Sequence, residues 1–237
     1  MIDLAGQRIL VIGGSSGIGF ATAKLAAELG AAVTIASRSA DKVAAAASAI
    51  GPEVEAHPID LTSDAAVEAF FSAAGAFDHV IVTGSQVSMA PVRDLPLDTA
   101  RAAMDSKFWG FYRVARAAKI APGGSLSVVS GFLASRPAAG RALMGAINAA
   151  LEALVRGLAL ELKPVRVNAV SPAVVDTEMW SGMSAETRAA MFDRVSAAYP
   201  AGRPGEPVEI ARQLLLLVAT GYATGTIVVL DGGASIA

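Results

Sequence analysis

The chain has no cysteine, and that one absence removes disulfides, thiolate nucleophiles and thiolate metal sites together. Histidine is nearly as scarce. His57 and His79 are the only two, each beside a predicted strand and neither near a second carboxylate or imidazole in a ligand pattern. They read as polar residues at strand edges and not as a metal site, which wants several such ligands together. Charge is also low: charged residues make up 17%, the formal net charge is −2, and no block of like charges occurs. Nucleic acid is therefore not expected as a partner, because neutralising phosphates needs a concentrated basic surface. The densest aliphatic run, 214–219, falls far short of a bilayer span, so no membrane association is expected. No basic segment precedes the first apolar strand and no cleavage-like site follows it, which points to a cytoplasmic protein.

What is present is aliphatic. Hydrophobic residues make up 54% of the 237, enough to bury a large core in one domain, 1–237. Short Val- and Ile-rich segments near 8–13, 32–36, 54–59, 78–83, 124–130, 164–170 and 226–230 read as strands. Helical patterns near 17–29, 39–49, 62–74, 98–119, 140–162 and 206–219 separate them. Runs such as Ile9-Leu10-Val11-Ile12 and His79-Val80-Ile81-Val82 lack polar alternation, as in strands buried on both faces. The alternation predicts an α/β, single-domain Rossmann fold: a doubly wound, seven-stranded parallel sheet flanked by helices, with ligands at the strands' carboxyl ends. The least regular stretch, 173–205, follows a strand end and is a candidate substrate lid.

The first strand runs into Gly13-Gly14-Ser15-Ser16-Gly17-Ile18-Gly19 and then directly into a helix. Glycines there allow a tight turn and let backbone N–H groups approach a pyrophosphate at a helix N-terminus. Strand, loop and helix come in the order that dinucleotide binding requires.

The spacing of these glycines resembles the TGxxxGxG fingerprint of the short-chain dehydrogenases/reductases, with Ile12 in place of Thr. Other stretches match in order. His57-Pro58-Ile59-Asp60-Leu61 resembles the segment that meets adenine, and Val82-Thr83-Gly84-Ser85 falls where the family has NNAG. Arg166-Val167-Asn168-Ala169-Val170-Ser171-Pro172 is close to RVNxVxPG, which puts Val175 and Thr177 at the nicotinamide carboxamide. Arg203-Pro204-Gly205-Glu206-Pro207 and Leu230-Asp231-Gly232-Gly233 match as well. The resemblance thus implies a cofactor site of Gly13, Ser15, Ser16, Gly17, Ile18, Gly19, Ser37, Arg38, Asp60, Leu61, Thr83, Gly84, Lys107, Asn148, Val175 and Thr177. It also implies a small-molecule substrate and a homo-oligomer, most simply a tetramer. The interfaces would lie on the fourth and sixth helices and the last strand.

The family's reaction uses Ser, Tyr, Lys and Asn, and here the pattern departs from it. Ala149-Ala150-Leu151-Glu152 resembles the stretch after the family's Lys, which puts Asn148 at the Lys position and Met144 at the Tyr position. Gly131 then stands for Ser, with Ser130 turned to the other strand face. Lys107 stands for Asn, in Lys107-Phe108-Trp109-Gly110. None of Tyr112, Tyr199 and Tyr222 has a lysine four residues later. The Asn and Lys positions are exchanged, which makes Lys107 and Asn148 the candidate catalytic pair. Lys107 lies in the apolar stripe Met104, Phe108, Phe111, Ala115, where desolvation lowers a lysine pKa and makes it a usable proton donor. Three functions fit: a redox enzyme with a non-standard site, a non-catalytic NADP(H) sensor, or a non-redox lyase or isomerase around Lys107.

Cofactor choice is read after the second strand. A carboxylate there would bind the ribose hydroxyls and repel a 2′-phosphate, but the residues are Ser37-Arg38. Arg38 can pair with that phosphate, so NADP(H) is expected over NAD(H). Arg38→Ala should accordingly weaken NADPH binding far more than NADH binding. Equal losses in a fluorescence titration would remove the basis for that preference.

Overall fold

The computed structural model describes residues 2–84 and 89–237, so Ser85 lies outside the described residues. Seven parallel strands form one sheet in the order β3-β2-β1-β4-β5-β6-β7. They are β1 (Arg8–Ile12), β2 (Ala32–Ser37), β3 (Glu55–Pro58), β4 (Phe77–Val82), β5 (Ile120–Val129), β6 (Arg166–Pro172) and β7 (Ile227–Leu230). The helices are α1 (Gly17–Glu28), α2 (Ala40–Ile50), α3 (Asp64–Ala74), α4 (Leu97–Met104), α5 (Gly110–Ala117), α6 (Ala142–Glu161), α7 (Ala185–Ala198) and α8 (Pro207–Ala219).

Side-chain alternation divides the strands between two cores. Ile9, Val11, Val33, Ile35 and Ile81 point to the face covered by α1, α2 and α8, where they meet Ala23, Val43 and Leu214. Leu10, Ile12, Val80, Leu126 and Val128 point the other way, onto Phe71, Phe111, Ile147 and Leu151 of α3, α5 and α6. This is the physical reason for the unbroken aliphatic runs: the central strands are apolar on both faces because each face is covered, whereas the edge strands β3 and β7 are partly exposed.

Four expectations need correction. The helix predicted over 98–119 is α4 and α5 joined by a π-helical turn at Asp105–Trp109, and it ends at Ala117. The strand expected at 124–130 starts earlier, at Ile120. The stretch 173–205 is not irregular, since it holds the 14-residue α7, whose scattered apolar residues bury only Val195 and so give little helical periodicity. His79 is no edge residue. It is buried in central β4, its ring held between the Ser125 hydroxyl at 2.8 Å and the Gln7 side-chain oxygen at 2.9 Å. His57 does lie on the edge strand β3. Among the described residues the longest apolar helix is α6, of membrane-spanning length, and its Ile147, Leu151, Val155 and Leu158 pack in the core.

Burial, with Arg166 nearby, lowers the His79 pKa to about 4, while Asp78 opposes the shift. The unfolded chain therefore binds a proton near pH 6.5 that the folded chain refuses until about pH 4, and stability falls with pH across that window. The loss should amount to roughly 3 kcal/mol. His79→Gln should flatten urea-measured stability between those pH values, and an unchanged slope would count against this assignment.

Candidate active site

The chain order reverses between β1 and β4, and a cleft opens at their carboxyl ends. Gly13 leaves β1 with φ +89°, and a Cβ there would lie 2.3 Å from the Gly84 nitrogen. A Cβ on Gly19 would lie 2.1 Å from the Gly13 carbonyl oxygen and 2.5 Å from the Thr83 hydroxyl. Loop, helix start and β4 are thus in backbone contact, which only glycine permits. No side chain caps α1, so its first-turn N–H groups face the cleft that Gly13, Ser15, Ser16, Gly17, Ile18 and Gly19 line. The residues fit a pyrophosphate there.

The cleft continues as one cavity of about 1180 Å³, past Thr83 and Gly84, to Lys107, Gly131, Met144 and Asn148. Met144, Asn148 and Glu152 follow one another at four-residue intervals on α6 and so share a face. The π turn carries Lys107 toward them. Its Nζ donates to Asn148 Oδ1 at 2.7 Å and to the Ser130 carbonyl at 2.9 Å. The Ser130 side chain turns away, and its hydroxyl donates to Glu152 Oε1 at 2.9 Å, as does that of Ser171. At the end of β5, Gly131 leaves the space Asn148 occupies, since a Cβ there would come 2.6 Å from Asn148 Nδ2. Burial lowers the Lys107 pKa to about 8, and the charge of Glu152 resists the shift.

Val175 and Thr177 also line the cavity. Val175 is buried and bridges to Gly205, while the Thr177 side chain sits beside Gly17 and caps the short 3-10 turn Glu178–Trp180. Ser37, Arg38, Asp60 and Leu61 do not line it. Asp60 accepts from the Thr62 N–H at 2.9 Å and hydroxyl at 2.8 Å, which lower its pKa, with Arg38 and Arg113 adding to the effect. The Leu61 side chain packs against Gly110 and its carbonyl accepts from Arg113.

Several lining residues escaped the sequence reading. Lys42, in the first turn of α2 four residues after Arg38, was within reach of a sequence reading as a second nearby cation. Tyr199, Arg141, Arg194 and the methionines Met89, Met179 and Met191 were not, because they converge only through the fold. Tyr199 is the one tyrosine on the cavity wall, and burial raises its pKa.

A family model described as enoyl-(acyl carrier protein) reductase matches residues 12–235. The short-chain dehydrogenase/reductase ATR9 of Stachybotrys chlorohalonatus is 34% identical, over 99% of each chain. The chain belongs to the short-chain dehydrogenase/reductase family. Among solved structures of that family, a small-chain dehydrogenase in complex with NADPH is 36% identical at a TM-score of 0.85, covering 99% of this chain and all of that one. The MalC reductase/Diels-Alderase of Malbranchea aurantiaca is 26% identical at a TM-score of 0.90, covering 99% and 98%. Family membership accounts for the glycine loop and the sheet order, and the geometry above gives what this chain does with them.

The loop contacts have a direct consequence for stability. Gly19→Ala should cost about 2 kcal/mol or more, because the added methyl overlaps backbone that cannot retreat. Gly157→Ala, inside α6 with nothing within 4 Å, should instead gain roughly 0.5–1 kcal/mol. Urea unfolding of the two variants checks the contrast.

Proposed function

We propose that this chain is an NADP(H)-dependent oxidoreductase that reduces a small carbonyl, imine or other electrophilic substrate. In its active site Gly131, Met144, Asn148 and Lys107 stand where the family has Ser, Tyr, Lys and Asn. The observation that carries the proposal is the Lys107–Asn148 hydrogen bond of 2.7 Å, at the far end of a cavity that begins at the glycine loop. The NADPH bound by a relative 36% identical supports the cofactor, as does Ser37-Arg38 where a carboxylate would select NAD(H).

When bound, the dinucleotide supplies a hydride for an electrophilic carbon. The chain's own residues do the rest. The amides of α1 would hold the pyrophosphate, Lys42 on the cavity wall and Arg38 beside it would pair with the 2′-phosphate, and the Asn148 amide would hold the nicotinamide ribose. Lys107 gives two N–H groups to Asn148 and to the Ser130 carbonyl, which leaves its third proton for a substrate heteroatom. Met144 has no proton to give. Losing a general acid typically removes ~10²–10⁴-fold, whereas placing the reactants together is worth ~7–11 kcal/mol, so hydride transfer survives. An iminium or a quinone, already electrophilic, needs the least help.

A non-catalytic NADP(H) sensor is the second reading, favoured by Met144 and by the prior engagement of Lys107. A non-redox lyase or isomerase reaction at Lys107 is a third, and the reductase/Diels-Alderase relative supports a scaffold that admits such chemistry. The segment 173–205 would act as the substrate lid. We further propose a cytoplasmic homotetramer, for which the exposed Trp109, Tyr112, Leu160, Val229 and Leu230 provide apolar contact surface on the π turn, α5, α6 and β7.

Lys107→Met and Asn148→Ala should each weaken NADPH binding, and the double variant should lose less than the sum, because the two side chains touch. Small additive losses would sink the exchanged pair. With 2-methyl-1-pyrroline, cyclohexanone and menadione as acceptors, turnover that uses the Lys107 proton should fall as pH rises through about 8. Lys107→Met should abolish that limb. NADPH binding without turnover on any acceptor would favour the sensor.

A further inference from the structure

The cavity beyond Met144 has an unusual charge balance. Its walls there are apolar, built from Phe132, Leu133, Met179, Trp180 and Met191. Two arginines, Arg141 and Arg194, also line this half, and no carboxylate does. The one acidic residue on the whole wall, Glu178, sits beside Gly17 in the cofactor half.

Neighbouring arginines are committed elsewhere. Arg188 pairs with Asp176 and lies over Phe192, and Arg136 donates to the carbonyl of Ala237. Arg141 is different. Half-buried in the wall, it donates to the Met89 sulfur, a weak acceptor, and among the described residues it pairs with no carboxylate. A guanidinium carries five N–H donors in a planar fork that matches a carboxylate, so most of its capacity is unused. Arg194, exposed on α7, has no partner among the described residues. Arg141 is the N-cap residue of α6, three residues before Met144, so an anion on it sits about one helical turn from the Met144 position.

We propose that the substrate is a carboxylate with an apolar ring or chain, its carboxylate held by Arg141 with Arg194 closing over it from the lid. This builds on the reading of this half of the cavity as the substrate's. An apolar wall alone would accept any hydrophobic molecule. The unpaired fork supplies orientation, because a carboxylate anchored there fixes which carbon of the apolar body reaches the end of the cofactor cleft.

The test needs neither cofactor nor turnover. Trp180 is on the cavity wall, with its indole N–H on the Val175 carbonyl at 2.9 Å, and the other tryptophan, Trp109, is an exposed surface residue. In a Trp109→Phe background, Trp180 fluorescence reports binding. The probes are cyclohexanecarboxylate, 4-phenylbutanoate and octanoate, each beside its methyl ester. At least one acid should bind about tenfold or more tightly than its ester, the worth of a charge-assisted hydrogen bond. Arg141→Met should bring that acid to its ester's affinity and leave the ester unchanged. Arg141→Lys should keep part of the preference, and Arg194→Gln should reduce it less than Arg141→Met does. No acid-over-ester preference in any pair overturns the proposal, and so does a preference that survives Arg141→Met. Should that variant fail to fold, the wild-type acid–ester comparison and Arg141→Lys still decide. Carboxylate binding in a protein that never oxidises NADPH overturns the redox reading alone, and NADPH turnover without carboxylate preference overturns this proposal alone.

Discussion

A buried amine at the carboxyl edge of the sheet sets the terms for everything around it. An ammonium out of water must find acceptors, a counter-charge, or a lower pKa, and Lys107 has all three. Asn148 and the Ser130 carbonyl accept its protons. Glu152, anchored by Ser130 and Ser171, supplies negative charge without touching it. The π turn swings Lys107 inward, an unusual backbone state that tends to mark functional positions. Gly131 removes the side chain that would otherwise stand where Asn148 lies. Each of these features looks arbitrary alone, and together they satisfy one amine.

The second constraint is the sheet. Because every central strand is covered on both faces, the only place for a ligand is the edge where strands end, and the reversal between β1 and β4 opens it there. Gly13 and Gly84 meet at that reversal in contact too close for a Cβ, so the loop's geometry is fixed by the sheet's packing and not by the loop alone. Stability and ligand geometry therefore share residues, and a methyl at Gly19 strikes both.

How far the sequence could be read follows from which interactions are local. Strand runs, the glycine loop and the stripe Met144, Asn148, Glu152 are periodic or contiguous, so pattern exposes them. Lys107 and Asn148 could be singled out together because motifs on both helices could be anchored separately, and the fold brings them within 2.7 Å. The π turn was not, since a single extra residue per turn leaves the apolar spacing of 104, 108, 111 and 115 intact. α7 was hidden because a helix lying over a cavity need not present an apolar stripe to a core. Arg141 precedes α6, whereas Arg194 and Tyr199 lie at the end of α7, so the two groups meet only in space.

The register of α6 ties the two halves of the cavity together. Met144, Asn148 and Glu152 descend one face of a single rigid helix from Arg141 at its N-cap, running from the apolar chamber to the carboxyl ends of β5 and β6. The distance between a group held at Arg141 and one held at Asn148 is therefore set by helix rise, about 1.5 Å per residue, and not by loop conformation. Loops around the chamber can vary without changing that distance. What they can change is who enters: α7 and the 3-10 turn Glu178–Trp180 carry Met179, Trp180, Met191 and Arg194, and this segment meets the rest of the fold through the Ala201–Gly232 backbone hydrogen bond and the Phe132–Tyr199 ring contact. Lys107 stands on a neighbouring helical element whose position against α6 is fixed by its 2.7 Å bond to Asn148, whereas Tyr199 stands at the end of α7.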